Sequence, residues 1–244
     1  MKRKVTVFTY VDRYSYFLDK WLEYYTQIFE PNDLLIVYSN ITSFDIYDYL
    51  KSKDLHEVSV LNVTPDTDSF IQKNKTFNDV QKLLLKTNDV VVYSDVDELI
   101  FHPYLRDLID NFMTDYMTTK GFEIIHSENE PPLDFKQSIL SQREFGIYSD
   151  WYDKPLIVKK ELHWEEGKHN KNTAPITYNN LYLVHLNKID ITLLSELNLQ
   201  NQTLFKNVLP HNASIGEDLN KVFSEHFYKQ LEPIPEVIKN KLLI

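Results

Sequence analysis

No cysteine occurs in the 244 residues. Disulfides, thiolate zinc sites and a cysteine nucleophile are thereby excluded. Positive charge is scarce as well: 26 Lys and Arg stand against 36 Asp and Glu, for a formal net charge of −10. No basic stripe interrupts that balance. Duplex binding needs clustered cations to neutralise phosphates, so no nucleic acid is expected as a partner. A nucleoside diphosphate is a different case, because a divalent cation can supply the local positive charge that an acidic chain lacks. Long apolar runs are missing too. No stretch approaches the ~20 residues of a membrane span, and Met1 to Tyr10 lacks the apolar core and small-residue cleavage site of a signal peptide. No transmembrane segment is expected, and the cytoplasm is the expected compartment.

What is present is ordinary for a soluble globular chain, with 43% hydrophobic and 25% charged residues, and the length suits a single domain spanning residues 1–244. Aromatic content is high at 14%, with 16 tyrosines. Such rings stack on sugars and bases, but their larger use is to fill half-buried positions in any α/β fold.

Val5 to Tyr10 reads as a first strand, followed by a helix with Tyr14, Phe17, Leu18, Trp21, Leu22, Tyr25, Ile28 and Phe29 on one face. Pro31-Asn32-Asp33 breaks it, and Leu34 to Tyr38 gives a second strand. A short helix over Ile46 to Leu50, a third strand over Glu57 to Val63, a helix through Phe77, Val80, Leu83 and Leu84, and an apolar strand over Asp89 to Tyr93 follow. This alternation predicts an α/β fold with a mostly parallel central sheet flanked by helices. After Pro103 an amphipathic helix is expected through Leu105, Leu108, Ile109, Phe112, Met113 and Tyr116. Gly121 to His126, Leu156 to Lys160 and Leu181 to His185 read as strands, with irregular chain over Ser127 to Asp153 and a loop over Trp164 to Thr173. C-terminal helices are expected from a capping box at Ser214 to Glu217, followed by Leu219, Val222, Phe223 and Phe227, and from Pro235 as the first residue of a last helix.

The chemistry concentrates where the strand ending at Tyr93 runs into Ser94-Asp95-Val96-Asp97-Glu98. Side chains alternate along an extended chain, so Asp95 and Asp97 would face one side and could share one cation. Mn2+ or Mg2+ prefers oxygen ligands and keeps positions open for substrate phosphates. Carboxylates between apolar runs, here Val90 to Tyr93 and Leu99 to Phe101, are costly unless they serve a purpose. Ligands of parallel sheets also bind at the carboxyl ends of the strands.

The block from Val90 to Ile100 resembles the Asp-x-Asp-Glu signature of GT-A glycosyltransferases, in the family-2-like and galactan synthase-like group. Lys73 to Asp79, the opening Val7 to Tyr10 with Trp21 to Tyr25, Trp164 to His169 and Leu183 to Lys188 resemble further elements of that group, and the likeness spans roughly residues 5 to 190. Leu99 stands where the group usually has Phe. The resemblance implies a GT-A fold and a metal-dependent transfer of a sugar, hexosyl or deoxyhexosyl, from a nucleotide-sugar donor, with UDP as the expected nucleotide, to a glycan acceptor. It implies that Asp95 and Asp97 bind metal and donor and that Glu98 orients the loop. His185 is implied as a third metal ligand with His169 as its rival, and Lys188 as a basic group on the diphosphate. Thr9, Tyr10 and Asp12, at the end of the first strand, would meet base and ribose, with Lys75 and Asn78 beside them. An inverting enzyme needs a carboxylate base for the acceptor hydroxyl. Asp150, Asp153, Glu165 and Glu166 occupy loops on the expected acceptor side, Glu166 and Asp153 foremost.

Two other classes stay open. A haloacid-dehalogenase-type phosphatase also uses Asp-x-Asp, but no later Gly-Asp-x-x-x-Asp supplies its metal ligands, Gly216-Glu217-Asp218 included. A non-catalytic nucleotide-sugar-binding protein of the same fold would be expected to lose one of the two acids, and both are present.

Overall fold

A computed structural model describes residues 2–40, 42–63, 70–170, 174–194, 230–242 and 244, without the side chains of 70–72 and 166. Its N-terminal half is built from four apolar segments that pair in parallel: β1 (Val5–Val11), β2 (Leu34–Ser39), β3 (Ser59–Val63) and β4 (Val90–Tyr93). Every residue of β2 and β4 is buried, as strands covered on both faces must be. The register sets Val7 opposite both Leu34 and Val92, and Leu35 opposite Ser59. Helices α1 (Tyr16–Tyr25), α2 (Ile46–Ser52) and α3 (Phe70–Leu84) make the crossovers. Asp45 caps α2 by accepting from the Tyr47 and Asp48 N–H groups.

The C-terminal half adds β5 (Glu98–Phe101), α4 (Leu105–Asn111), β6 (Tyr116–Ile124), β7 (Phe145–Tyr148), β8 (Ile157–Val158), β9 (Thr177–His185), β10 (Glu232–Pro233) and α5 (Glu236–Lys241). The strand order is β10-β7-β6-β8-β4-β1-β2-β3, with β9 parallel to β6 and antiparallel to β5. The antiparallel pair β4–β8 thus joins the parallel half to the mixed one. The largest fully buried side chains include Trp21, Trp164, Tyr25, Tyr93 and Phe8, which lie around β1 and β4. No helix among the described residues is long and apolar enough to cross a membrane.

Several sequence expectations are corrected. The first helix ends at Tyr25, where Thr26 bonds back to the Leu22 carbonyl at 2.7 Å; Phe29 is nevertheless buried, reached through a turn. The helix expected to run to Tyr116 stops at Asn111, because Phe112 turns extended, Met113 is exposed and Tyr116 already opens β6. The stretch expected to be irregular from Ser127 to Asp153 contains β7. Much of the rest of it is organised by Arg143, fully buried, which donates to the carbonyls of Ile189, Pro131 and Gln142 and pairs with Asp190 at 3.3 Å. Pro235 is the N-cap of α5 rather than its first residue. The Ser214 to Phe227 helix lies outside the described residues.

Gly121 marks a close approach. A Cβ there would run into the Ser149 carbonyl and the Tyr152 Cβ, so β6 can pass this loop only without a side chain.

Candidate active site

The acidic segment forms a turn rather than an extension of β4. The Glu98 N–H donates to the Asp95 carbonyl at 3.0 Å, and the chain leaves as β5 to pair with β9. Each neighbouring element braces this turn. From β1, the Phe8 carbonyl accepts the Ser94 N–H at 3.2 Å; after β9, the Leu186 N–H donates to the Asp97 carbonyl at 2.8 Å. From α1, Trp21 Nε1 donates to Ser94 Oγ at 3.2 Å, the Tyr24 hydroxyl donates to the Ile100 carbonyl at 2.8 Å, and the Tyr25 hydroxyl accepts the Ile100 N–H at 3.0 Å. Ser94 Oγ in turn donates to the Glu98 carbonyl.

Each carboxylate of the turn has a cation of its own. Lys168 Nζ lies 3.2 and 2.9 Å from the two oxygens of Asp95, whose Oδ1 also accepts the Tyr93 hydroxyl. Asp97 Oδ2 accepts from Asn187 Nδ2 at 3.1 Å and lies 3.5 Å from His185 Nε2. Glu98 pairs with Lys154 at 2.5 Å, and both side chains are buried. Behind His185, its Nδ1 sits 2.8 Å from Glu123 Oε1, which also takes Lys188 Nζ at 2.5 Å. The Tyr152 ring covers the imidazole at a centroid distance of 4.3 Å.

The titration behaviour follows from these pairs. Burial opposes ionisation of Asp95, but Lys168 and then Lys154 hold its carboxyl below the ordinary value. Burial opposes that of Asp97 too, and the His185 hydrogen bond and charge hold it well below. Burial disfavours the imidazolium of His185, yet Asp97 and Glu123 together push it up to about 9. Glu123 stays low despite burial, through His185 and Lys188. Lys154 is raised despite burial, by Glu98 first and Asp95 second. The network is therefore four carboxylates (Asp95, Asp97, Glu98, Glu123) facing four cations (Lys154, Lys168, His185, Lys188).

Of the residues singled out in sequence, the fold brings Asp95, Asp97, His185 and Lys188 into this one network. Thr9 is fully buried at the end of β1, and its hydroxyl has no partner among the described residues. Asp12 is held by Arg13 at 2.8 Å and Lys73 at 3.3 Å, and Lys73 also lies over the Tyr10 ring. Asn78 acts as a clamp: it accepts the Trp164 N–H at 2.8 Å and donates to the Trp164 carbonyl at 2.9 Å, fixing the loop that delivers Lys168. Lys75 is not brought in; it pairs with Asp79 on the exposed face of α3. His169 lies beside Trp151, Asp150, Asp153 and Lys154, and burial followed by the Lys154 charge lowers its pKa. Asp153 accepts the Gly121 N–H at 2.7 Å, a structural use. Glu166 lies in the turn Glu166–Lys168, and its side chain is outside the description.

Sequence reasoning missed Glu123, Lys154 and Lys168. Glu123 carried a signal, as an acid inside the apolar run from Gly121 to Ile125. Lys154 carried none, and Lys168 only its place in the Trp164 to His169 element.

Asp95 and Asp97 keep partly exposed side chains, 30% and 21%, with the His185 imidazole beside the second. Among the described residues no three His, Asp or Glu side chains converge into a ready-made cage.

No family model matches the chain, and no curated protein does. Among solved structures, residues 1–349 of S. aureus TarS match over 93% of this chain and 73% of that one, at 14% identity and a TM-score of 0.40. The same portion of TarS in complex with UDP-GlcNAc matches over 76% of this chain and 58% of that one, at 16% identity and a TM-score of 0.41. The mannosyltransferase PcManGT from Pyrobaculum calidifontis, in complex with GDP-Man and Mn2+, matches over 76% of this chain and 57% of its own, at 14% identity and a TM-score of 0.43. The α/β architecture, a parallel half-sheet joined to a mixed one and flanked by helices, rests on this chain's own strand order.

Proposed function

We propose that the chain is a metal-dependent glycosyltransferase that moves a sugar from a nucleotide-diphosphate donor to a hydroxyl of a glycan or other acceptor. The observation that supports this most is the Asp95-Val96-Asp97 turn at the carboxyl end of β4, next to the carboxyl end of β1, where ligands of parallel sheets bind. Mn2+ or Mg2+ would be held by Asp95 and Asp97 with His185 as a third ligand. The base and ribose would lie against Tyr10 and Asp12, with UDP as the expected nucleotide; Thr9 is fully buried and out of reach. Of the four carboxylates expected on the acceptor side, Glu166 is the proposed base; Asp153 already accepts the Gly121 N–H.

The test is thermal unfolding with a panel of nucleoside diphosphates, with and without Mn2+. Binding to the native state stabilises by about 2.7 kcal/mol at a hundredfold excess over Kd. A shift that needs metal and is lost in Asp97→Asn is expected for one nucleotide. Absence of any shift with Mn2+ present sinks the proposal. Metal-dependent hydrolysis of the matching nucleotide sugar without acceptor then separates a transferase from a binding protein.

A further inference from the structure

We infer that the groove between α1 and α2, closed on a third side by Phe135, is a binding site for a neutral saccharide chain. It is independent of the transferase assignment, and none of its lining residues belongs to the acidic network. Its cavity of about 450 Å3 lies in the ordinary range of small-molecule sites.

Tyr16, Asp19, Lys20 and Glu23 recur at three- and four-residue spacing, so a single stripe of α1 carries them into the groove. On the facing side α2 supplies Tyr49, and Lys53 follows at its C-terminus. Asp19 ties the two helices together. It accepts from the Tyr14 hydroxyl at 2.6 Å and the Tyr49 hydroxyl at 2.8 Å, and it pairs with Lys53 at 2.6 Å. Both tyrosine rings also pack on Phe44, at centroid distances of 5.9 and 5.5 Å. The rings are therefore set in place before any ligand arrives.

Phe135 stands edge to face on Tyr16 at 4.4 Å and stays 48% exposed. The turn that presents it is pinned. The Asp134 N–H donates to Gln142 Oε1 at 2.7 Å, and Gln142 Nε2 returns a bond to the Asp134 carbonyl at 2.9 Å. With Tyr14, itself 47% exposed, two large rings are held in solvent around one groove. Such clustering marks an interaction site, where a lone exposed ring would not.

The polar lining selects the ligand. Its charged side chains are two acids and two lysines, paired as Lys20 with Glu23 at 2.7 Å and Lys53 with Asp19 at 2.6 Å. The groove thus carries no net charge, and neither a phosphate nor a metal ion meets an unbalanced partner. Carboxylates accept and ammonium groups donate, so a ligand rich in hydroxyls can use both. The Tyr16 hydroxyl, buried without a partner among the described residues, leaves one polar group of the wall uncommitted. Fixed aromatic faces beside paired donors and acceptors suit a pyranose chain, which offers apolar C–H faces ringed by hydroxyls.

The experiment uses the full chain in EDTA, with maltohexaose, cellohexaose, chitohexaose and mannohexaose as probes. Binding is measured by saturation-transfer NMR and calorimetry in wild type, Phe135→Ala, Phe135→Tyr and Asp97→Asn. At least one oligosaccharide should bind. Phe135→Ala should weaken it about tenfold, the scale of one ring contact, while Phe135→Tyr keeps most of the affinity. Asp97→Asn should change nothing, and thermal unfolding should show Phe135→Ala folded as wild type. Binding of none of the four, binding insensitive to Phe135→Ala, or binding lost in Asp97→Asn overturns the inference. Sedimentation velocity supplies one more outcome: a wild-type dimer that Phe135→Ala dissociates gives the groove to a second copy of the chain and also overturns it. The metal-dependent nucleotide shift is read separately. Its absence with saccharide binding intact sinks the transferase assignment alone, and its presence without saccharide binding sinks the groove alone.

Discussion

Trp21 Nε1 donates to Ser94 Oγ at 3.2 Å, tying the buried face of α1 to the turn that carries Asp95 and Asp97. Tyr24 and Tyr25 hold Ile100 from the same helix, so both ends of the acidic turn hang on three adjacent aromatic side chains. Trp21→Phe removes the donor and part of a fully buried ring. It should lower stability by about 1–3 kcal/mol in urea unfolding, and nucleotide binding should weaken at conditions where the protein remains folded. Unchanged stability and binding would show that the turn keeps its shape without the helix.

Among the described residues Lys154 is the only cation paired with Glu98, and the second carboxylate oxygen of Glu98 is buried without a partner. Lys154→Met should therefore destabilise strongly, by about 3–5 kcal/mol, because a buried charge is left alone. Adding Glu98→Gln to that variant should recover much of the loss. A double-mutant cycle in guanidinium measures the coupling, and additive effects would contradict it.

His185 should make the metal-free protein less stable as the solution becomes alkaline. Its imidazolium is favoured in the fold, with a pKa of about 9 against an ordinary value of 6.5, through Asp97 and Glu123. Its contribution is complete below pH ~6.5 and is lost as pH rises through about 9. The wild-type stability advantage over His185→Gln in EDTA should accordingly be flat at acid pH and shrink between those limits. A difference that does not depend on pH would mean that the imidazole is neutral in the folded protein.

The parallel half of the fold is legible in the sequence because each of its strands is a short apolar run and each crossover helix has a clear apolar face. Val90 to Tyr93 running into acids also marks the centre of the site, since burial makes that placement expensive. The mixed half is harder to read. β7 is only four residues long, and β5 continues an apolar run that could equally belong to a loop or helix. The cations of the site are hidden for another reason: Lys154 and Lys168 reach their partners across 56 and 73 residues of chain, and no local pattern records such pairing. Glu123 differs, being an acid in the middle of an apolar strand.

Asn78 and Lys73 stand little more than a helical turn apart on α3, one holding the backbone N–H and carbonyl of Trp164, the other meeting Asp12 and Tyr10. The helix is thus a shared support for the end of β1 and for the loop that carries Lys168, so a change that shifts α3 would be felt at both.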